Sequence, residues 1–332
     1  ANFNTVLYDG DGGTTQAISG VGFEPNFTWI KDRDDTENHA LFDTVRGANE
    51  WLHSNNADAQ TTYSGNYGLL SWQSDGGFTV GNGTAVNKNN HKYVSWNWKA
   101  GGAATTIASG TNGSTVASNV SANTATGFSI VKYTGTLNSA GNIDVAHGLG
   151  AAPELIISKR TDSTGSWRVR PFFLNSDPYN YLELNTSGAI ANLNSSDGTM
   201  AMPTANVFSN NWNSGIGGIG DIIAYCWRSI PGYSKIGFYV GNGSTTGPII
   251  YTGFKPAWLM TKQTTSGYWY ILDNKRNTSN PRNTGLFPND YIAEITNTNY
   301  NVDFNNTGFQ PKNNTIGFNN LGITYIYMTF AE

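Results

Sequence analysis

Gly22-Phe23-Glu24-Pro25-Asn26-Phe27-Thr28-Trp29-Ile30-Lys31 returns twice along the chain. The later copies read Gly150-Ala151-Ala152-Pro153-Glu154-Leu155-Ile156-Ile157-Ser158-Lys159 and Gly253-Phe254-Lys255-Pro256-Ala257-Trp258-Leu259-Met260-Thr261-Lys262. Lys follows Pro by six residues each time. Proline at the first position of a strand forfeits no ladder hydrogen bond, so it marks where each strand begins. A second landmark is the aromatic-rich run Tyr93-Val94-Ser95-Trp96-Asn97-Trp98, matched by Ile222 to Trp227 and by Tyr325 to Phe330; its last aromatic follows the Pro by 73, 74 and 74 residues. Chance does not hold such a spacing three times. A third landmark, Gly77-Phe78 and Gly308-Phe309, puts Phe 53 residues after its Pro, with Phe208 two residues later in the middle copy. Upstream of each Pro lies a turn after a Tyr: Tyr8, Tyr133 and Tyr239.

The spacing therefore predicts three tandem copies of one unit. Each copy holds short apolar runs bounded by Gly, Asn, Asp and Ser, which reads as antiparallel strands joined by tight turns. Composition agrees: only 13% of the 332 residues are charged, Gly numbers 39 and aromatics reach 13%. Aromatic and β-branched residues suit a pleated, half-buried surface, while Gly and Asn tolerate positive φ. No sustained 3.6-residue apolar period appears. The fold class expected is all-β, three tandem jelly-roll-like β-sandwich modules, since two packed sheets let each strand bury one face. The boundaries are residues 1–100 for the first module, 101–125 for a Gly, Ala, Ser and Thr linker, 126–230 for the second module and 231–332 for the third. The linker composition predicts flexibility, whereas the short apolar junction at Arg228 to Gly237 predicts that modules two and three form a fixed pair. The closing aromatic runs are expected at a sandwich centre or against a neighbouring unit.

A formal net charge of −4 with scattered Lys and Arg gives no basic stripe, so nucleic acid is not an expected partner. Cys226, the only cysteine, lies in an apolar run and reads as a buried, inert thiol; intramolecular disulfides are excluded. No apolar run approaches the ~18 residues of a membrane helix, so no membrane insertion is expected. The opening Ala1-Asn2-Phe3-Asn4 lacks signal-peptide character, and with no initiator Met it reads as a fragment or a processed chain.

These landmarks resemble the concanavalin-like or lectin-like repeat of virion structural proteins in tailed bacteriophages, marine ones especially. Gly22-Phe23-Glu24-Pro25 with Trp29 to Arg33, His39 to Gly47 and the Tyr93 to Gly101 run carry the likeness. The third unit repeats it in Trp269 to Arg276 and Tyr327 to Glu332. The resemblance implies a virion-surface, extracellular location, a tail-fibre or adhesin-like role and a jelly-roll-like fold. It brings no established catalytic set. The middle unit departs from the pattern, with Arg168-Val169-Arg170-Pro171 where the others carry Asp43 and Asp273.

Asp43 with Arg46 and Asp273 with Arg276 share the pattern Asp-x-x-Arg, which fits an ion pair beside a turn or, alternatively, a sugar site. Sugar contact combines an aromatic platform with hydrogen-bonding side chains. Trp51, Trp72, Trp212 and Tyr268 sit among polar or turn residues outside the strand landmarks, so they are the aromatics expected at the surface. The candidate carbohydrate-binding set is therefore Trp51, Trp72, Trp212, Tyr268, Asp43, Arg46, Asp273 and Arg276. Asp32, Asp34, Asp35 and Glu37 crowd one polar loop and are the candidates for the two carboxylates that glycoside hydrolysis needs, but a charged loop reads first as a solvated one. His39, His53, His91 and His147 show no metal spacing. His39 aligns with Trp167 and Trp269, which marks a packing position. Asp9-Gly10-Asp11-Gly12-Gly13 reads as a hairpin turn before it reads as a calcium loop.

The sequence thus leads to a non-enzymatic virion surface protein contacting host-surface glycans, with no catalytic residue, metal or cofactor. Other virion proteins are expected as partners, and self-association as a homo-oligomer, a trimer by analogy with fibres. The alternatives are a capsid-decoration or fibre-shaft component without ligand, and a glycan depolymerase.

Overall fold

The computed structural model describes residues 1–193, 195–212, 216, 218–315 and 317–332. The chain is all-β, with antiparallel strands throughout the principal sheets. Each repeat contributes four main strands. An opening strand is Phe3–Asp9, Phe128–Gly135 or Ser234–Val240. A proline strand is Phe27–Asp32, Leu155–Arg160 or Trp258–Gln263. A fourth strand follows it, Ala40–Asp43, Arg168–Pro171 or Trp269–Asp273. The closing strand is Lys92–Trp98, Gly220–Trp227 or Thr324–Phe330. In all three repeats the spatial order is opening, closing, proline, fourth. The register also repeats: Phe27 faces Trp98, Leu155 faces Trp227 and Trp258 faces Phe330.

The closing strand is hydrogen-bonded on both sides and covered on both faces, which explains why it is apolar at nearly every position. Side chains alternate across a strand. In repeat one Tyr93 enters an outer core with Ile18, Leu69, Phe78 and Val80 of a smaller sheet, Gln16–Ile18 with Gly77–Val80 and Leu69–Gln73. Val94, Trp96 and Trp98 point the other way. Repeat two splits Ile222, Ala224 and Cys226 from Ile223, Tyr225 and Trp227 in the same manner. Repeat three splits Tyr325 and Tyr327 from Ile326, Met328 and Phe330. The landmark Phe78, Phe208 and Phe309 are fully buried in the three outer cores.

The inward faces of all three main sheets meet in one central cluster. Phe27 stacks on Tyr225 of repeat two at 4.4 Å between centroids, and Trp98 meets Trp258 of repeat three edge-on at 5.4 Å. The contacts run in one rotational sense and close a ring. The carbonyl two residues after the landmark Lys accepts an amide from the preceding repeat each time. Arg33 O takes Glu294 N–H at 3.0 Å, Thr161 O takes Gln60 N–H at 2.8 Å, and Thr264 O takes Ile190 N–H at 2.7 Å.

Two expectations are corrected by this arrangement. The first module is not mobile relative to a fixed pair, because Phe3, Phe27, Trp29, Trp96 and Trp98 of its strands are part of the central cluster. The stretch 101–125 is not a free linker. Its Thr105–Ile107 and Ser118–Asn123 extend the sheet of repeat two, with Ser118 to Asn123 paired along Phe128 to Tyr133. Val116 and Val120 sink into that repeat's outer core. Small uncharged residues suit a strand edge as well as a flexible tether, and alternating valines decide for the strand.

The landmark lysines are fully buried. Each ammonium caps turn carbonyls: Lys31 those of Asp32 and Asp35, Lys159 those of Ala57 and Arg160, Lys262 those of Gln263 and Thr265. Burial pulls each down to about 8.

Repeat one cut from the ring exposes Phe3, Phe27, Trp29, Trp96 and Trp98 of the central cluster. Residues 1–100 alone should bind a hydrophobic dye and lack near-ultraviolet circular dichroism. A cooperative thermal transition from that isolated fragment would contradict the shared core.

Candidate functional site

The Asp-x-x-Arg pairs lie at the seams of the ring. In repeat one Asp43 Oδ1 accepts the backbone amides of Val45 and Arg46, which fixes the turn after the fourth strand. Its Oδ2 takes Arg46 Nε at 2.5 Å, and Arg46 Nη2 returns to Leu41 O at 2.9 Å. Repeat three builds the same cradle: Asp273 Oδ1 accepts Lys275 and Arg276 amides, Oδ2 takes Arg276 Nε at 2.6 Å, and Nη2 reaches Ile271 O at 3.0 Å. Both pairs are buried.

The remaining acceptor capacity of each carboxylate is used by a neighbouring repeat. Tyr225 Oη of repeat two donates to Asp43 Oδ2 at 2.7 Å. Trp96 Nε1 of repeat one donates to Asp273 Oδ2 at 3.1 Å. Tyr225 and Trp96 occupy one position of the closing strand, two residues before its last aromatic. Repeat two has Pro171 in the Asp register and repeat three has Met328 at the donor position. The seam that lost its carboxylate also lost its donor. A buried charge without a partner is costly, so the two change together.

His39, Trp167 and Trp269 form a second set of seam contacts. His39 Nδ1 accepts the indole N–H of Trp29 at 2.8 Å, so its proton sits on Nε2 and is donated to Phe287 O of repeat three at 2.9 Å. Trp167 Nε1 donates to His53 O of repeat one, and Trp269 Nε1 to Glu183 O of repeat two, at 2.8 and 2.9 Å. The alignment of these residues signalled packing, and the packing is between repeats. Arg33 adds a two-pronged ion pair to Glu294 across the same boundary, with distances of 2.9 and 2.6 Å.

Asp43, Arg46, Asp273 and Arg276 are thus closed to any ligand that arrives from outside. Trp51 is also corrected: it is only 2% exposed, wedged against Phe42 and Tyr63 in the outer core of repeat one. Trp72 is half-buried and donates to Thr28 Oγ1 at 3.2 Å. Trp212 and Tyr268 do reach the surface, 42% and 45% exposed. Trp212 stands in a groove of about 560 Å³ in repeat two, beside Leu137, Arg160, Arg168 and Ile219. Sequence reading missed the two arginines because they come from different strands.

The acidic loop is consumed by its own geometry. Asp32 Oδ1 accepts the amides of Asp34 and Asp35 while Oδ2 holds His91 Nδ1 at 2.9 Å. Asp34 accepts Lys92 N–H, and the Lys88 ammonium holds the Asp35 carboxyl down at about 2. In the Asp9 to Gly13 turn, Asp11 Oδ1 caps Gly13 N–H and takes Asn87 Nδ2. That hydrogen bond from Gly13 lowers the Asp11 pKa. Asn87 is buried and also receives the Asp11 amide; Asn319 does the same for Asn242 in repeat three, a repeated brace with no sequence motif strong enough to notice. Among the described residues no three His, Cys, Asp or Glu side chains cluster as metal ligands.

Removing Asp43 leaves Arg46 buried beside Tyr225 without its counter-charge. Asp43→Ala should destabilise by about 3–5 kcal/mol and Tyr225→Phe by about 1–2 kcal/mol. The two effects should be non-additive in a double-mutant cycle read by urea unfolding.

Burial, aided by the Lys31 charge, pushes His39 well below the ordinary imidazole value, and burial lowers His53 and brings His147 to about 4. The unfolded chain, titrating near about 6.5, takes up these protons first as pH falls. Stability is therefore full above that value and declines below it. The urea midpoint should drop between pH 7 and pH 5, and His39→Gln should flatten the drop; a midpoint constant over that range would refute the assignment.

No curated protein and no solved structure matches the chain. One family profile does, and it covers residues 1–332. The chain belongs to that family, described as a domain of unknown function, DUF7483.

Proposed function

We propose that the chain is a non-enzymatic virion surface protein, tail-fibre or adhesin-like, built of three jelly-roll-like sandwich modules and contacting host-surface glycans. The observation that carries the glycan part is Trp212. Of the ten tryptophans in the sequence it is the one left exposed, and it lines a shallow, open depression together with Asn138, Arg160 and Arg168. An exposed indole in a recess with hydrogen-bonding neighbours suits the apolar face and hydroxyl rim of a sugar. The non-enzymatic part is supported by the carboxyl groups. Asp32, Asp43 and Asp273 are buried, and both oxygens of each are taken up by hydrogen bonds from the chain itself.

A purely structural role, as capsid decoration or fibre shaft, is favoured by a different observation: the closed ring makes the chain a rigid block. Homo-oligomerisation and contact with other virion proteins belong to the same proposal. Leu7, Phe238 and Val240 are exposed on opening strands that form sheet edges in repeats one and three, where association is favoured.

A glycan array probed with folded protein should show binding to a subset of host-surface glycans. Silence across the array would leave the structural role standing in place of the adhesin. Release of reducing ends from a bound polysaccharide would identify a depolymerase instead.

A further inference from the structure

Arg160 and Arg168 come from neighbouring strands of repeat two, one at the end of the proline strand and the other at the start of the next. Both line the Trp212 groove. Arg160 is held by a two-pronged pair with Asp162, Nε to Oδ1 at 2.6 Å and Nη2 to Oδ2 at 3.3 Å. Its guanidinium lies flat over Gly220, whose φ is +143°, so close that a Cβ there would fall 2.6 Å from it. Among the described residues Nη1 of Arg160 has no hydrogen-bond partner. Arg168 pairs with Glu183 and covers the Tyr181 ring at 4.4 Å. Asp162 and Glu183 are not among the described residues that line the groove. At the corresponding positions repeat one has Asp32 and Ala40, and repeat three has Gln263 and Tyr270. The juxtaposition of two arginines and an exposed indole is therefore confined to repeat two.

We infer that this groove binds an acidic saccharide, a sugar residue carrying a carboxylate, with its ring on Trp212 and its carboxylate on the free edge of Arg160. The inference rests on the glycan-contact reading above and narrows it to a class of ligand and a place. A guanidinium fixed by its own ion pair and by close backbone packing loses little freedom when an anion docks. A carboxylate is matched by its N–H edge, and a charge-assisted hydrogen bond is about twice as strong as a neutral one. Screening of the charge makes the contact weaken with salt.

The test measures binding of folded full chain to three trisaccharides: a galacturonate trimer, a sialic-acid-terminated sugar and a neutral galactose trimer. Titration calorimetry and quenching of tryptophan emission give the readouts. At least one acidic sugar should bind about tenfold or more tighter than the neutral one, as expected for one added charged hydrogen bond. Arg160→Gln should erase that preference and its salt dependence. Trp212→Ala should weaken every sugar that binds, and Trp212→Tyr, which keeps a stacking ring, should restore most of the loss. Tyr251→Ala, an exposed aromatic of repeat three, should change nothing. Equal affinity for acidic and neutral sugars, or an Arg160→Gln variant that keeps the preference, overturns the inference while leaving glycan contact intact. Absence of binding to all three sugars overturns the inference, and with a silent array the glycan reading falls as well.

Discussion

The inward faces of three closing strands hold the molecule together. Trp96 and Trp98, Tyr225 and Trp227, and Met328 and Phe330 each belong to a sheet whose other face already has an outer core. A sheet covered on one side only would leave these rings in water, at a cost of about 1.5–3 kcal/mol for each fully exposed large side chain. The three repeats therefore hide one another, with strands of each contributing to one shared cluster. Every other seam feature follows from that requirement, since polar groups carried into the seam must find partners there.

The buried Asp-x-x-Arg cradles illustrate the consequence. Asp43 and Asp273 are not decorations of an exposed turn; each receives an indole or phenol from the next repeat around the ring. Where the middle repeat has Pro171, the facing closing strand has Met328 in place of a donor. Polar networks in a low-dielectric interior are stable when complete and damaging when half complete. The three seams thus differ at this position: one joins Tyr to Asp, one Trp to Asp, and the third has Met328 and Pro171 in their place.

Much of the fold was legible because strands announce themselves in side chains. Pro25, Pro153 and Pro256 stand two residues before strands that open at Phe27, Leu155 and Trp258, the Lys six residues later was repeated for a structural reason, and Phe78, Phe208 and Phe309 were core. His39, Trp167 and Trp269 were also read correctly as packing. Ring closure was not legible, because the equivalent contacts of Arg33, Thr161 and Thr264 run through backbone carbonyls, which leave no trace in residue type. The stretch 101–125 misled because Ser, Thr and Ala serve tethers and strand edges alike. Trp51 misled because polar neighbours in sequence do not bring water in space: its strand, Glu50–Trp51, turns the ring inward. Half of the groove was visible as Trp212, while Arg160 and Arg168 had to be brought beside it by the sheet.

The three seams differ, and so do the three outer surfaces. Among the described residues the exposed indole with its two arginines occurs in repeat two alone, so the threefold plan of the core does not extend to the outer surface. If that groove is the binding site proposed above, a chain that looks trivalent from its architecture would be monovalent. Strength of attachment would then come from how many chains are displayed together and how far apart they stand, because linked weak sites gain through effective concentration. On the proposed reading the internal ring would contribute stiffness to each such unit, and the number of chains displayed together would set the count of contacts.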